Sequence, residues 1–416
     1  MSGPKGKLKE AWARISKLID LDEPTSMGLF LGCNHREITV YPDGTTPVRG
    51  IEYDMRDSMR QCVEAYQKVA GNYSTKLKHA ETPHHPILWG ATNKSERVAT
   101  PSDESVDLEL PDWGEEAGVL APQACSILMK IMYGARIARW DMLKIVQLLS
   151  TRVSKWTVSC DKALYRLVCY INSTLDIVLS GYIGDNPEDL YLLQYADADW
   201  AGDRADYRST SGAICFLAGP LTRFPLAARC TKQTATSFST PESELVAANS
   251  ALRLMGVPTL DFWEALLGRK VTLEFREDNQ TAIVVMKTGR NQTMRHLPRC
   301  HGISVSWLHE IMLWDNVKLV YQETGGQCAD IFTKVFKTAQ SWYHAVNMIG
   351  MSKHGTGGKN ALPEIPQKSS GGGDAPLTSG TKTKKIASTD ALPHACAPLV
   401  GGSVTTSTQT TRPVKC

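Results

Sequence analysis

Four carboxylates fall where an α/β chain gathers ligands. Asp197 stands in the alternating run LLQYADADW (192–200), which reads as a strand, so Asp197 and Asp199 share a face. Glu244 lies in PESELVAANSALRL (241–254), a helical pattern with Pro241 in its first turn and Ser239 or Thr240 as cap. Asp278 follows the strand-like VTLEFRE (271–277), where the chain turns into a short helix over 279–287. Asp330 opens a last helix over 328–336, just past Gly325 and Gly326. Strand ends and helix starts are where open α/β sheets collect ligands. Carboxylates drawn together raise one another's pKa, and a hard divalent cation such as magnesium removes the conflict. Two such ions a few ångströms apart cut phosphodiesters by activating a water and stabilising the departing oxygen. Taken singly, the same residues also serve as turn caps or solvated surface charges. Only convergence gives them chemistry.

The elements that must position them are legible from periodicity. Residues 120–150 and 154–178 carry apolar positions at three- and four-residue spacing and read as two helices. A second strand is expected over 211–218 and a third over 226–232, then a helix over 303–313 and a strand over 317–322. The order β-β-β-α-β-α-α-β-α predicts a mixed α/β sheet covered by helices.

Composition sets the outer bounds. The 416 residues are 42% hydrophobic and 21% charged, as expected of a folded chain with two or three domains. No run approaches ~18 apolar residues, so no membrane span is expected. The N-terminal MSGPKGKLKEAWARISKLIDL lacks a secretory apolar core, and its Trp12, Ile15 and Ile19 mark one face of a basic amphipathic helix. Eleven cysteines, an odd number without a CxxC pair, predict free thiols and a reducing cytoplasmic or nuclear compartment. Net charge is +3, and residues 352–416 hold eight Lys/Arg against three Asp/Glu, so the rest is slightly acidic. Nucleic-acid binding must therefore rest on local sites. From 352 onward 32 of 65 residues are Gly, Pro, Ser or Thr, which predicts a disordered tail. Residues 96–117 are acidic and broken by Pro101 and Pro111, and read as an exposed loop.

The words themselves carry a resemblance. YADADWAGDRADYRSTSGAICFLAG (195–219), TKQTATSFSTPESELVAA (231–248), REDNQTAI (276–283), RHLPRCHGISVSWLHE (295–310) and GQCADIFTK (326–334) resemble, in order, the ribonuclease H domain of copia-type LTR retrotransposon polyproteins. Upstream, KLKEAWARISKLIDLDEPTSMGLFLGCNHRE and QCVEAYQKVAGNYSTKLKHAETP resemble the segment downstream of the polymerase active site in those polyproteins. YGARIARWDMLKIVQLLSTRVSKW and CDKALYRLVCYI resemble the connection before the nuclease. The match spans about residues 7–350.

The resemblance implies a ribonuclease H-like mixed five-stranded sheet flanked by helices over 191–345. It implies a mainly helical reverse-transcriptase thumb and connection remnant over 1–190, and the disordered tail then takes 346–416. The implied activity is cleavage of the RNA strand of an RNA–DNA hybrid with two Mg2+ ions, Mn2+ being a substitute. Asp197, Glu244 and Asp278 would hold one ion and Asp197 with Asp330 the other, the 2′-OH selecting RNA. Asp199 and Glu242 are close decoys. His301 corresponds to a histidine implied to assist product release or proton movement. The pattern departs at RHLPR, where Pro298 replaces an expected Asp, and at PLAARCTKQ, which lacks a Trp. The family's polymerase motif, Tyr-x-Asp-Asp, is absent, so no DNA synthesis is expected. An intact reverse-transcriptase subunit is the expected protein partner, and no membrane is expected. The alternatives are an inert hybrid-binding remnant of a decayed element or a DNA nuclease of the same fold.

Other residues have blander readings. Arg290, Arg295 and Arg299 could contact phosphates or line a solvated loop. His296, Cys300, His301 and Cys328 match no compact zinc spacing and read as structural. Ser237–Thr240 reads as a helix cap, Trp200 as core packing rather than a stacking platform, and TKTKK (381–385) as a solubilising run.

Overall fold

The computed structural model describes residues 5–20, 27–71, 76–84, 113–203, 206–336 and 338–355. These belong to one compact unit, built on a mixed α/β sheet flanked by helices. The first part supplies α1 (Lys5–Ile15), β1 (Leu29–Phe30), β2 (Cys33–Val40), β3 (Val48–Asp54) and α2 (Arg56–Ala70). It continues with α3 (Ala121–Ile137), α4 (Leu143–Ser150), α5 (Val158–Ser173) and β4 (Ile177–Ile183). Then come the long strands β5 (Tyr191–Asp203), β6 (Arg208–Gly219) and β7 (Thr222–Thr236), followed by α6 (Thr240–Ala251) and α7 (Val257–Leu267). The chain closes with β8 (Leu273–Glu277), α8 (Gln280–Thr288), α9 (Leu297–Cys300), α10 (Val305–Met312), β9 (Val317–Tyr321), α11 (Ala339–Met348) and β10 (Met351–Lys353).

The strand order is β1-β2-β3-β4-β7-β6-β5-β8-β9, with β10 added to β4. Strands β5, β6 and β7 pair antiparallel, and β8 and β9 run parallel to β5. Alternate residues of β5 point to opposite faces, and the core divides accordingly. Leu193 and Tyr195 join α2–α5 and α11 on one face, whereas Leu192, Ala196 and Ala198 join α6, α8 and α10 on the other.

Several expectations change here. The sheet has ten strands rather than five, because β1–β4 and β10 extend it beyond β7. Among the described residues of 1–190, helices predominate as expected, and the four strands β1–β4 are what the expectation lacked. The helices of this part cover one face of the sheet that carries the acids, so no break falls at 190. The segment over 177–183, expected to end a helix, is a strand, since isoleucine and valine there pair with β3 and β10. The helix expected over 120–150 is interrupted between Ile137 and Leu143. Arg139 turns there to pair with Asp141 at 2.8 Å, and Tyr170 donates to the same carboxylate at 2.8 Å. Trp342 of α11 donates in turn to the Tyr170 hydroxyl. Ordered structure also reaches past 346, since β10 pairs with β4; residues 356–416 of the expected tail lie outside the described residues, as do 96–112 of the acidic loop. Among the described residues no helix is long and apolar enough to cross a membrane. Nine described cysteines are free thiols.

Candidate metal centre

Register decides which acids meet. On β5, Tyr195 pairs with Arg276 of the parallel β8, so Asp278, two residues on, arrives level with Asp197. Helix α6 brings Glu244 to them. Its first turn is pinned by Gln233, whose Nε2 donates to the Ser243 carbonyl and the Ser211 hydroxyl. Its far end is held by buried Gln194, which donates to the Ala251 carbonyl where the helix widens into a π-helical stretch, Leu252–Gly256. Asp197, Glu244 and Asp278 each offer an oxygen, and these lie within 4.8 Å of one another.

Asp330 comes from the other face. The expected final helix is a short 3-10 turn, Cys328–Phe332, held down by buried Gln327, whose Nε2 donates to the Ala196 carbonyl at 3.0 Å. Across β5–β6, Gly212 stands opposite Asp197. A Cβ at Gly212 would lie 2.9 Å from the Ala329 carbonyl oxygen, Phe332 Cβ and Thr333 Cγ2, so glycine is what lets this turn sit on the sheet. Thr333 then donates its hydroxyl to Asp197 Oδ2. Lys334 Nζ reaches Asp330 Oδ1 at 2.9 Å and Asp197 Oδ1 at 3.8 Å.

The electrostatics follow from burial. Glu244 is pushed well above its ordinary value by desolvation and then by Asp197, Glu277 and Asp278, with Lys334 opposing. Asp278 and Asp330 rise for the same two reasons, burial and the Asp197 charge, again with Lys334 opposing. Burial works against the Lys334 charge, yet Asp197 and Asp330 outweigh it and hold the ammonium above its ordinary range. Glu244 Oε2 is buried without a hydrogen-bond partner, which leaves its lone pairs available to a cation. The donors are all carboxylate oxygens, the set that suits a hard cation such as magnesium or manganese.

One member has no counterpart in the sequence reading. Glu277 is fully buried, and its pKa is pushed well up by desolvation and by Asp278 next to it. Its Oε1 accepts from the Asn279 N–H, and its Oε2 has no partner. The paired acids of "REDN" were the available signal, and only burial separates their roles.

The other candidates are placed differently. Asp199 is drawn to Lys144 of α4 at 2.6 Å and accepts from the Thr210 N–H, so it is Asp197 that joins the trio. Glu242 is buried between two imidazoles: His296 Nε2 lies 3.0 Å and His301 Nε2 3.2 Å from its Oε1. His301 thus pairs with Glu242 rather than with any of the four acids. Cys328 faces Arg223, not those histidines. Arg290, Arg295 and Arg299 are all exposed. Trp200 is not core packing; it is 53% exposed, with its indole N–H on the Ser237 carbonyl. Phe238 beside it is 78% exposed and stacks edge-on against His296.

No protein-family model matches this chain. A stretch of 121 residues, 29% of the chain and 80% of the relative, is 33% identical to the secreted RxLR effector protein 161 of Plasmopara viticola.

Proposed function

We propose, for a chain that belongs to the same family as the secreted RxLR effector protein 161 of Plasmopara viticola, that it is a metal-dependent endonuclease cutting the RNA strand of an RNA–DNA hybrid. The relative's name specifies no chemistry, so the reading stands on the carboxylates. The observation that carries it is the convergence of Asp197, Glu244 and Asp278 from a strand, a helix and a strand end within 4.8 Å. The resemblance to copia-type ribonuclease H supports it, because its motifs select the same three acids together with Asp330. So does the arrangement of β5–β9, three antiparallel strands with two parallel to the first, which fits the ribonuclease H-like sheet.

Asp197, Glu244 and Asp278 would hold the magnesium, with manganese as its substitute. When bound, the ion supplies charge neutralisation at the phosphodiester and acidifies a water. The chain's own residues do the rest. Thr333 fixes one oxygen of Asp197 and so orients the other. Gln327 and Gly212 fix the turn that carries Asp330. Exposed Trp200 and Phe238 offer apolar rings beside α6 for sugar or base contact, and Arg290, Arg295 and Arg299 offer positive charge for phosphates. Glu242 holds His296 and His301 in fixed orientation.

The test is magnesium-dependent cleavage of an end-labelled RNA–DNA hybrid by the full chain, with a DNA duplex alongside. Cleavage of the hybrid alone is expected. Cleavage of the DNA duplex instead would replace the substrate assignment. Asp278→Asn should abolish cleavage and retain hybrid binding, and persistent activity in that variant would refute the site.

A further inference from the structure

Helix α7 and the π-helical stretch leading into it present a row of apolar side chains to water. Leu254, Pro258, Phe262 and Leu266 recur at every fourth position. All four are exposed, Leu254 at 47% and Phe262 and Leu266 at 60% each. Residues four apart form one ridge along a helix surface. The opposite side is the one the fold uses, since Leu252, Met255, Gly256 and Leu260 are buried. Gly256 lies so close to β5 that a Cβ there would stand 2.3 Å from Gln194 Oε1, and Gln194 Nε2 donates to the Ala251 carbonyl. At the far end Glu264 accepts from the Val271 N–H and from Asn316 Nδ2. Held at both ends, the helix has no freedom to roll the ridge inward.

Scattered surface leucines are ordinary, whereas a continuous apolar row marks an interaction surface. The charges beside the row identify its occupant. Arg253 immediately precedes Leu254 and Asp261 immediately precedes Phe262, and both charged residues are exposed. They therefore lie on one flank of the ridge, about 12 Å apart along the axis. When two such helices cross antiparallel about a two-fold axis near Pro258, each flank faces the same flank of its copy with the direction reversed. Leu254 of one copy then meets Phe262 of the other, and Arg253 meets Asp261, each contact occurring twice. Ridges of residues four apart also fit one another's grooves in the commonest helix crossing, and the antiparallel sense opposes the two helix dipoles.

We propose that this face of α7 is a homodimer interface, covered by a second copy of the chain packed about a two-fold axis near Pro258. Its apolar centre is Leu254 on Phe262, and the Arg253–Asp261 pairs set its register. Such an isologous contact needs one surface that complements itself, which the row and its flank supply. None of these residues belongs to the metal centre, so the interface stands apart from the nuclease reading.

Sedimentation velocity of the full chain across micromolar concentrations tests this. Wild type should show a reversible monomer–dimer equilibrium. Phe262→Glu should raise the dissociation constant at least about 30-fold, as loss of a central anchor does, with an unchanged far-ultraviolet circular dichroism spectrum. Leu254→Lys serves as the second variant should Phe262→Glu fail to fold. Arg253→Glu and Asp261→Arg should each weaken association about fivefold at low salt, and the two together in one chain should restore it. A wild type that stays monomeric throughout the range would overturn the proposal, whatever else the ridge then binds. So would dimers indifferent to both apolar replacements, or a double charge swap no tighter than the single ones.

Discussion

Gly212 stands directly opposite Asp197 on neighbouring strands, and its missing side chain is the space that the Asp330 turn occupies. Asp197 and the backbone of the turn that carries Asp330 are thus coupled through one hydrogen atom. In Gly212→Ala the new methyl meets the Ala329 carbonyl oxygen, Phe332 Cβ and Thr333 Cγ2 at 2.9 Å, two of these contacts being to backbone or to Cβ. We expect a loss of about 1–3 kcal/mol, the usual cost of overpacking, and a fall in kcat as Thr333 leaves Asp197. Urea unfolding with parallel cleavage assays checks both; unchanged stability would contradict the close packing.

The buried acids make the metal-free protein sensitive to alkali. Glu244, Glu277 and Asp330 are all held above their ordinary values by burial first and neighbouring carboxylates second. The folded state therefore keeps protons that the unfolded chain releases once pH passes the ordinary glutamate value of 4.5. Stability from these groups is full below that point and declines as pH climbs toward the raised values. The melting temperature without metal should be higher at pH 5 than at pH 8, and saturating magnesium should flatten the difference.

Glu277→Gln isolates one member of that set. The substitution keeps the shape, keeps an acceptor for the Asn279 N–H and removes a fully buried charge. Its metal-free melting temperature at pH 8 should exceed that of wild type, with a shallower pH dependence. A lower value would mean that the charge itself is needed, as in a ligand.

Trp200 and Phe238 project from the rim near the acids, 53% and 78% exposed. Each alanine replacement should weaken hybrid binding by about 1–3 kcal/mol if its ring stacks, without changing the melting temperature by more than a degree or two. Fluorescence anisotropy with a labelled hybrid measures this. Unaltered affinity in both variants would remove the aromatic rim from the binding surface.

Arg139 and Asp141 form a buried ion pair whose side chains are 1% and 0% exposed. Arg139→Met leaves Asp141 with Tyr170 but without a counter-charge. The expected cost is about 3–5 kcal/mol, as for other broken buried pairs, whereas the double change with Asp141→Leu should recover much of it. Denaturant midpoints for the two variants decide the matter.

How far the residues spoke for themselves can be judged element by element. The strands around Asp197 and Asp278 were legible because apolar and polar residues alternate there, and the one holding Gly212 as a short apolar run after a turn. The helix carrying Glu244 was legible from Pro241 and its cap. Strands β2 and β3 were not, since CNHREITV and VRGIEYD hold mixed charges on faces that only pairing with each other explains. Helix α7 was missed because it exposes Phe262 and Leu266 while burying only Leu260, so its pattern has no clean face. In the centre, Asp197, Glu244 and Asp278 were singled out by type and position, and the structure brings these three within 4.8 Å. Glu277 and Lys334 were not, because burial and cross-element distance have no signature in one dimension. Trp200 was misread because aromatic residues usually go inside, and nothing local marks an exception.

One sheet serves both halves of the chain, and Lys144 of α4 reaches across to Asp199, two residues from Asp197. A piece starting at residue 191 would lay bare Tyr195, Ile214 and Phe216, the very surface on which the earlier helices rest. Such a piece would carry a broad apolar face into water and is expected to aggregate rather than stay dispersed.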